Sequence, residues 1–338
     1  MKGFLSRWRQ PLTPTAGTAL LGLRADLRIA RAAARNMVGV SAVSPFNVES
    51  FSAQLRTRTL GRKIEWHESA ASTMPLADTR ARNEGTGAHG AIVIAESQTA
   101  GVGRRGRSWQ SPLGNLYFSL LWIPTMPPGE GGVAMMPQLV RLNLAAGVAV
   151  VKASAAVGID SALIKWPNDV WAGEPPRKMS GTILNFDGLG AANLGIGINV
   201  LEELAPNTTA TSLSTLRDAL PGALRPPPIS REAVLAAFCY ELERLMGLGT
   251  SEVLAEYSQH DLLRGRTIRV HHKTREEDDP KDFDATVLGV DTDGRLRVRP
   301  LGVAAAKGEV LLSGEEVSIT PIIPHDGAVA APPHGDEL

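Results

Sequence analysis

The pattern of apolar and polar residues predicts a packed domain that begins after Pro45. Short apolar runs bounded by turn residues indicate buried strands. These strands are expected at residues 91–96, 115–122, 162–166, 179–186 and 193–200. A longer apolar stretch runs from Pro137 to about Val157 and predicts a helix, because proline is tolerated in a first turn. Strand follows strand between residues 162 and 200, so that part of the sheet is expected to be antiparallel or mixed.

The C-terminal third is expected to contain two more helices and a small barrel. Ser230 is predicted to cap a helix that ends near Met246, and a short helix follows Thr250. From Leu263 the chain shows short strands around an acidic loop at residues 276–284, a pattern typical of a five-stranded barrel. The strands are expected at residues 267–271, 285–290, 296–300, 310–312 and 317–319.

Composition removes several classes of protein from consideration. The 338 residues are 43% apolar, which is enough for a substantial core, and the 35 basic and 35 acidic residues balance. This balance excludes binding of nucleic acid by overall charge. The single cysteine, Cys239, excludes a disulfide framework and is expected to be buried, and the seven histidines show no zinc-ligand spacing. No apolar run approaches the roughly 18 residues of a membrane-spanning helix, so a soluble protein is expected.

The N-terminal segment differs from the rest of the chain in charge. Residues 1–48 carry seven lysines or arginines and one acid, Asp26. Residues 19–37 are predicted to form a helix with arginines on one side, as in a presequence for mitochondria or plastids. The alternative is a disordered basic arm of a cytoplasmic bacterial protein. Both interpretations stay open at this point.

The strongest candidate for chemistry is the loop from Gly101 to Trp109, with the sequence GVGRRGRSW. Its glycines match G-x-G-x-x-G and nearly match a P-loop, but both motifs require a following helix. Turn residues and a predicted strand follow instead, so both interpretations are set aside. What remains is a glycine loop that carries Arg104, Arg105 and Arg107 and suits a nucleotide phosphate, because guanidinium groups bind phosphate through two hydrogen bonds. The alternative is a solvated basic turn.

The order of motifs along the chain resembles that of biotin protein ligases, also called holocarboxylase synthetases. The motifs are Ser72-Thr73, Gln98, the arginine loop, KWPND at residues 165–169, RKMSGTIL at residues 177–184 and GIGIN at residues 195–199. The resemblance implies an α+β fold. Its parts would be a mixed, largely antiparallel sheet with helices, like that of class II synthetases, and a C-terminal SH3-like β-barrel.

Four parts of the chain are therefore expected. They are a basic extension (1–48), a biotin- and ATP-binding catalytic domain (49–262), the barrel (263–321) and a disordered tail (322–338).

The resemblance also implies a two-step reaction that uses biotin, ATP and Mg²⁺. Biotinyl-AMP would form first, and biotin would then pass to a lysine of the biotin carboxyl carrier domain of acetyl-CoA carboxylase or a related carboxylase. The implied catalytic residues are Lys178, Arg104 and Asp169. The implied biotin-binding residues are Ser72, Thr73, Gln98, Gly101, Arg104, Lys178 and Gly181. The implied ATP-binding residues are Arg104, Arg105, Arg107, Trp109, Lys165, Asn168, Lys178 and Asn199, with Trp109 against adenine.

Two departures and two alternatives accompany this interpretation. Met74 stands where asparagine is usual in the family, and Val102 stands where arginine is usual in many members. A lipoate protein ligase of related fold is the first alternative. The second is a ligase that doubles as a DNA-binding repressor, which is not expected because one plausible helix precedes the ligase domain. No metal ligand is identified, membrane association is not expected, and a homodimer is left open.

Overall fold

The computed structural model describes residues 43–124, 135–186, 190–201, 209–272, 282–314 and 317–321. The chain divides into two compact units, Met1–Ser44 and Pro45–Leu338, and the structure given below belongs to the second. The predicted helix at residues 19–37 and the tail at residues 322–338 lie outside the described residues, as does most of the acidic loop at residues 276–284.

A seven-stranded mixed sheet forms the centre of the molecule, in the order β1-β2-β3-β7-β6-β5-β4. Its strands are β1 (Ile64–His67), β2 (Ile92–Ala95), β3 (Leu116–Trp122), β4 (Leu163–Lys165), β5 (Asp169–Ala172), β6 (Arg177–Phe186) and β7 (Ala192–Ile198). Strands β1 and β2 are parallel, and every other neighbouring pair is antiparallel. The predicted mixed, largely antiparallel sheet is confirmed. The sequence pattern missed β1 and β5, because each has only four residues and mixes polar with apolar side chains.

Six α-helices accompany the sheet in the described part of the chain. They are α1 (Val48–Gln54), α2 (Thr73–Glu84), α3 (Met136–Ala156), α4 (Leu213–Ala219), α5 (Arg231–Met246) and α6 (Thr250–Gln259). Helix α3 packs against α5 and α6, and Cys239 on α5 is fully buried. By length and composition alone α3 is long and apolar enough to cross a membrane, whereas no segment of that kind was expected from the sequence. However, 67% of its most apolar window is buried inside the molecule, as in a core helix.

The C-terminal strands form a separate antiparallel sheet in the order β11-β10-β9-β8-β12. They are β8 (Thr267–His272), β9 (Phe283–Val290), β10 (Leu296–Pro300), β11 (Val310–Leu312) and β12 (Val317–Pro321). All five predicted strands are present. Trp166 from the KWPND turn belongs to the core of this sheet, and its Nε1 donates to the Gly294 carbonyl at 2.9 Å. The KWPND turn is therefore fixed against the C-terminal sheet.

Candidate active site

The arginine loop is a tight, folded turn between β2 and β3. The Gly103 amide donates to the Arg107 carbonyl at 2.7 Å, and the Trp109 amide donates to the Gly101 carbonyl at 2.8 Å. Gly101 packs so closely under the loop that a Cβ there would collide with the Trp109 carbonyl oxygen. Arg105 at the tip has a φ of 62°, which L residues rarely adopt. Strand β3 follows the loop, so the helix that a dinucleotide motif or a P-loop requires is replaced by a strand.

The residues predicted to bind biotin gather around one cavity. Six of the seven line it, namely Ser72, Thr73, Gln98, Arg104, Lys178 and Gly181, and Gly101 lies beneath the loop that borders it. The Gln98 side chain accepts from the Thr73 amide at 3.0 Å and donates to the Ser111 hydroxyl at 2.9 Å. Ser72 caps α2 by accepting from the Met74 amide at 3.3 Å. Ser72 therefore both caps α2 and lines the cavity.

The residues predicted to bind ATP gather around a second, adjoining cavity. Seven of the eight line it, namely Arg104, Arg105, Arg107, Trp109, Lys165, Asn168 and Lys178. Arg104 Nη1 donates to Asn168 Oδ1 at 3.1 Å, and Asn168 Nδ2 donates to the Thr182 carbonyl at 2.7 Å. The Arg105 guanidinium reaches the C-terminal sheet, where it donates to the carbonyls of Gly314 and Val317. The arginine loop thus connects the KWPND turn with the C-terminal sheet.

Lys178 and Arg104 border both cavities. Lys178 Nζ lies 2.7 Å from Asp169 Oδ1 and 5.1 Å from the centroid of the Trp109 ring. Burial lowers the pKa of the nearby Lys165 ammonium, the Lys178 and Arg107 charges lower it further, and Asp169 opposes them. Crowded cations of this kind favour an anionic ligand, because its charge would relieve their mutual repulsion.

The Trp109 indole packs directly against two glycines of the sheet. A Cβ on Gly197 would lie 2.5 Å from Cε2 of the indole, and a Cβ on Gly181 would lie 3.0 Å from its Cζ3. The indole therefore borders both cavities and packs on β6 and β7. The contact with adenine stays a prediction.

Asn199 lies apart from the other predicted residues. It is fully buried, lines neither cavity, and donates from Nδ2 to the Thr211 carbonyl at 3.0 Å. Its Oδ1 has no hydrogen-bond partner among the residues that the structure describes. A role in nucleotide binding stays a prediction for Asn199.

Several lining residues were not among those predicted to bind a substrate. Met74 lies against Gly195, where a Cβ would collide with the Met74 sulfur, so the departure from asparagine places a thioether in the wall of the first cavity. Alternate glycines in GIGIN were a usable signal, because Gly195 and Gly197 face the same side of β7. Val317 and Ile319 of β12 line the second cavity, and nothing in the sequence indicated this.

Metal-ligating side chains are scarce around these cavities. Within the described ranges, no group of three or more His, Cys, Asp or Glu residues is arranged to hold a metal ion. Asp169 is the acidic side chain among those that line the second cavity. A cation at this site would therefore depend mainly on oxygens from a bound phosphate and water.

Comparisons with protein families, curated proteins and solved structures each find similarity to biotin or biotin/lipoate protein ligases. Residues 67–199 match the family described as "Biotin/lipoate A/B protein ligase family". The chain is 32% identical over 171 residues to "Bifunctional ligase/repressor BirA" of Bacillus subtilis, covering 49% of this chain and 48% of that protein. It is 36% identical over 146 residues to "Biotin--[acetyl-CoA-carboxylase] ligase" of Paracoccus denitrificans, covering 41% of this chain and 52% of that protein. The chain thus spans about half the length of these curated relatives.

Among solved structures, the fold matches that of a biotin protein ligase from Aquifex aeolicus described as in complex with biotin and ATP. The TM-score is 0.57 and the identity is 21%, and the match covers 77% of this chain and all of that one. At this identity the likeness concerns the fold. Together with the family match and the curated relatives, it shows that the chain is similar to biotin protein ligases in part of its sequence and in its fold.

Proposed function

We propose that the protein is an ATP-dependent biotin protein ligase. The observation that carries the proposal is the pair of adjoining cavities with Lys178 and Arg104 at their common border. Ser72, Thr73 and Gln98 supply polar groups to one cavity, and cations surround the other. This arrangement suits the joining of a carboxylic acid to a nucleotide, since the reacting groups of both substrates would meet at the two shared cations.

The first step would form biotinyl-AMP. A carboxylate oxygen of biotin attacks the α-phosphorus of ATP, the bond to the bridging oxygen of the β-phosphate breaks, and pyrophosphate leaves. Negative charge grows on the α-phosphate oxygens, where the Lys178 ammonium and the Arg104 guanidinium would stabilise it. Asp169 holds Lys178 at 2.7 Å and so fixes the position of its ammonium.

The second step would transfer biotin to a lysine of a biotin carboxyl carrier domain. The lysine amine attacks the carbonyl carbon of the anhydride, AMP leaves with the bridging oxygen, and the amine loses a proton as the amide forms. Asp169 borders the second cavity and would orient the incoming ammonium or amine. The arginine loop lies between the KWPND turn and β12, where it would shield the anhydride from water.

Mg²⁺ would enter this site with ATP. The ion usually binds phosphate oxygens and waters together with one or two carboxylates, and Asp169 is the carboxylate that lines the second cavity. The donor set fits a cation carried by the nucleotide, whose charge would help to neutralise the phosphates.

The test is a substrate comparison with purified protein. Biotin, ATP and Mg²⁺ together should release pyrophosphate, and adding a biotin carboxyl carrier domain should give biotinylation of that domain by mass spectrometry. Lipoate in place of biotin is the matched control and should release little pyrophosphate. Equal release with both acids would contradict the preference for biotin, and no release with either would contradict the proposed function.

A further inference from the structure

A buried ion pair lies behind the active site and takes no part in the chemistry described above. Arg231 Nη1 lies 2.6 Å from Glu96 Oε2, and the two side chains are 4% and 5% exposed. The Trp66 indole also donates to Glu96 Oε1 at 2.9 Å, and the Phe46 amide donates to the same oxygen. The Glu96 carboxylate is therefore well supplied with donors in the interior.

The pair joins both ends of the segment that carries the arginine loop. Glu96 comes directly after β2 and two residues before Gln98. Arg231 Nη1 also donates at 3.3 Å to the carbonyl of Asn115, the residue directly before β3. The Arg231 guanidinium thus contacts Glu96 and Asn115, the two residues that flank residues 97–114. Both contacts lie just past Ala95 and Tyr117, the last pair of residues between β2 and β3.

Asn115 also contacts a third segment of the chain near the site. The Asn115 side chain accepts from the Val200 amide at 2.7 Å, just after Asn199 at the end of β7. Asn115 Nδ2 donates to the Tyr117 hydroxyl at 3.1 Å, which in turn donates to the Pro112 carbonyl at 2.9 Å. Displacement of Asn115 would therefore disturb the loop and the end of β7 together.

The geometry points to Arg231 and Glu96 as positioning residues that hold the substrate-binding loop in its working conformation. Removing charges from water costs several kcal/mol per ion, and apolar replacement of a buried pair is often neutral or stabilising. Stability alone therefore gives a weak reason for this pair. Its contacts with both ends of the loop give a better one, since the residues at the cavities need a fixed geometry. The inference rests on the proposed function for its catalytic consequence.

The experiment uses three variants of the full chain. Arg231→Met leaves the Glu96 charge unpaired and should lower both stability and loop order. The double variant Glu96→Gln with Arg231→Met removes both charges and should be more stable than the single variant. Arg231→Lys keeps a positive charge next to Glu96 but replaces the guanidinium with a single ammonium group. This variant should therefore fold, but its contact with the Asn115 carbonyl should be weaker.

Two measurements separate positioning from stability. Trypsin cleavage at Arg104, Arg105 and Arg107, mapped by mass spectrometry, reports loop opening without any turnover. We expect cleavage about 10-fold faster in the double variant and in Arg231→Lys than in the parent, because local opening exposes the loop. The dissociation rate of bound biotinyl-AMP should rise in the same variants, with a larger change in KM for biotin than in kcat.

Arg244→Met is the matched control. Arg244 lies on the same helix, in its last turn, and bonds to Glu256 through two oxygens at 2.8 Å, away from both cavities. This variant should lose stability with no change in loop cleavage. Parent-like cleavage in both the double variant and Arg231→Lys would show that the pair serves the fold alone. A parent that makes no adenylate would refute the proposed function and leave the cleavage test valid.

Discussion

Lys178 is the residue on which the proposed chemistry depends most. Its ammonium borders both cavities and lies 2.7 Å from Asp169, and Lys178 itself is the second residue of β6. We expect Lys178→Ala to lower the rate of adenylation by roughly 10² to 10³, because one donor aimed at growing charge contributes about 3 to 4 kcal/mol to the transition state. Pyrophosphate release in a single turnover measures this rate.

The control for this prediction is Lys152→Ala on α3, whose side chain lines neither cavity. Both variants should keep the thermal transition of the parent within a few degrees. Unchanged adenylation in Lys178→Ala would show that the lysine only pairs with Asp169 at the surface of the sheet.

At the scale of elements, the arginine loop is held by contacts with two different parts of the molecule. Arg104 donates to Asn168 of the KWPND turn, and Arg105 donates to the carbonyls of Gly314 and Val317. Arg104→Gly should therefore weaken retention of biotinyl-AMP more than its formation, with dissociation faster by a factor of about 30 or more. The adenylate off-rate and the labelling of serum albumin, which is not an acceptor, measure the effect.

Released biotinyl-AMP reacts with lysines in general, so the variant should label albumin where the parent does not. Arg58→Gly, an exposed arginine in a distant loop, is the matched control and should behave like the parent. If Arg104→Gly kept the adenylate off-rate and the selectivity of the parent, Arg104 would not be needed to hold the loop closed over the adenylate.

At the scale of the whole molecule, a largely buried carboxyl group lies between α6 and the C-terminal sheet. Asp261 follows α6 and pairs with Ile164 of β4, and its Oδ2 has no partner within the described part of the chain. Burial raises the pKa of Asp261 to about 6, although hydrogen bonds from Leu263 and Arg264 and the Arg264 charge oppose this. The folded state therefore binds this proton more tightly than the unfolded state, where the pKa is about 3.9.

This difference predicts how stability depends on pH. A proton bound more tightly in the folded state stabilises it below pH 6, so this group adds about 1 kcal/mol to the free energy of unfolding between pH 7 and pH 5. Asp261→Asn should lose that gain, and urea unfolding at the two pH values measures it. The exposed substitution Asp160→Asn should leave the gain in place. An equal pH dependence in the parent and in Asp261→Asn would mean that Asp261 is ionised in the folded protein at pH 5.

The sequence by itself determined the long elements and the set of candidate residues. A strand such as β3 and a helix such as α3 are both continuous apolar segments, and their lengths of 7 and 21 residues, with the turn residues or proline beside them, distinguish strand from helix. The candidate residues followed from the resemblance of the order of short motifs to that of biotin protein ligases. The sequence did not predict β1, β5, α1 and α4: the two strands mix polar with apolar side chains, and each of the two helices has only seven residues, or about two turns.

Only the tertiary structure decided how these motifs meet. The motif that contains Lys178 lies beside GIGIN because β6 pairs with β7, and it lies beside Asp169 because β6 also pairs with β5. Val317 and Ile319 line the second cavity although they lie more than 100 positions from its other residues, and Arg231 bonds to Asn115 across 116 positions. Local propensity acts over a few residues, whereas such contacts depend on strand register and on which surfaces are buried together. The physical reason is that burial and register are properties of the whole folded chain.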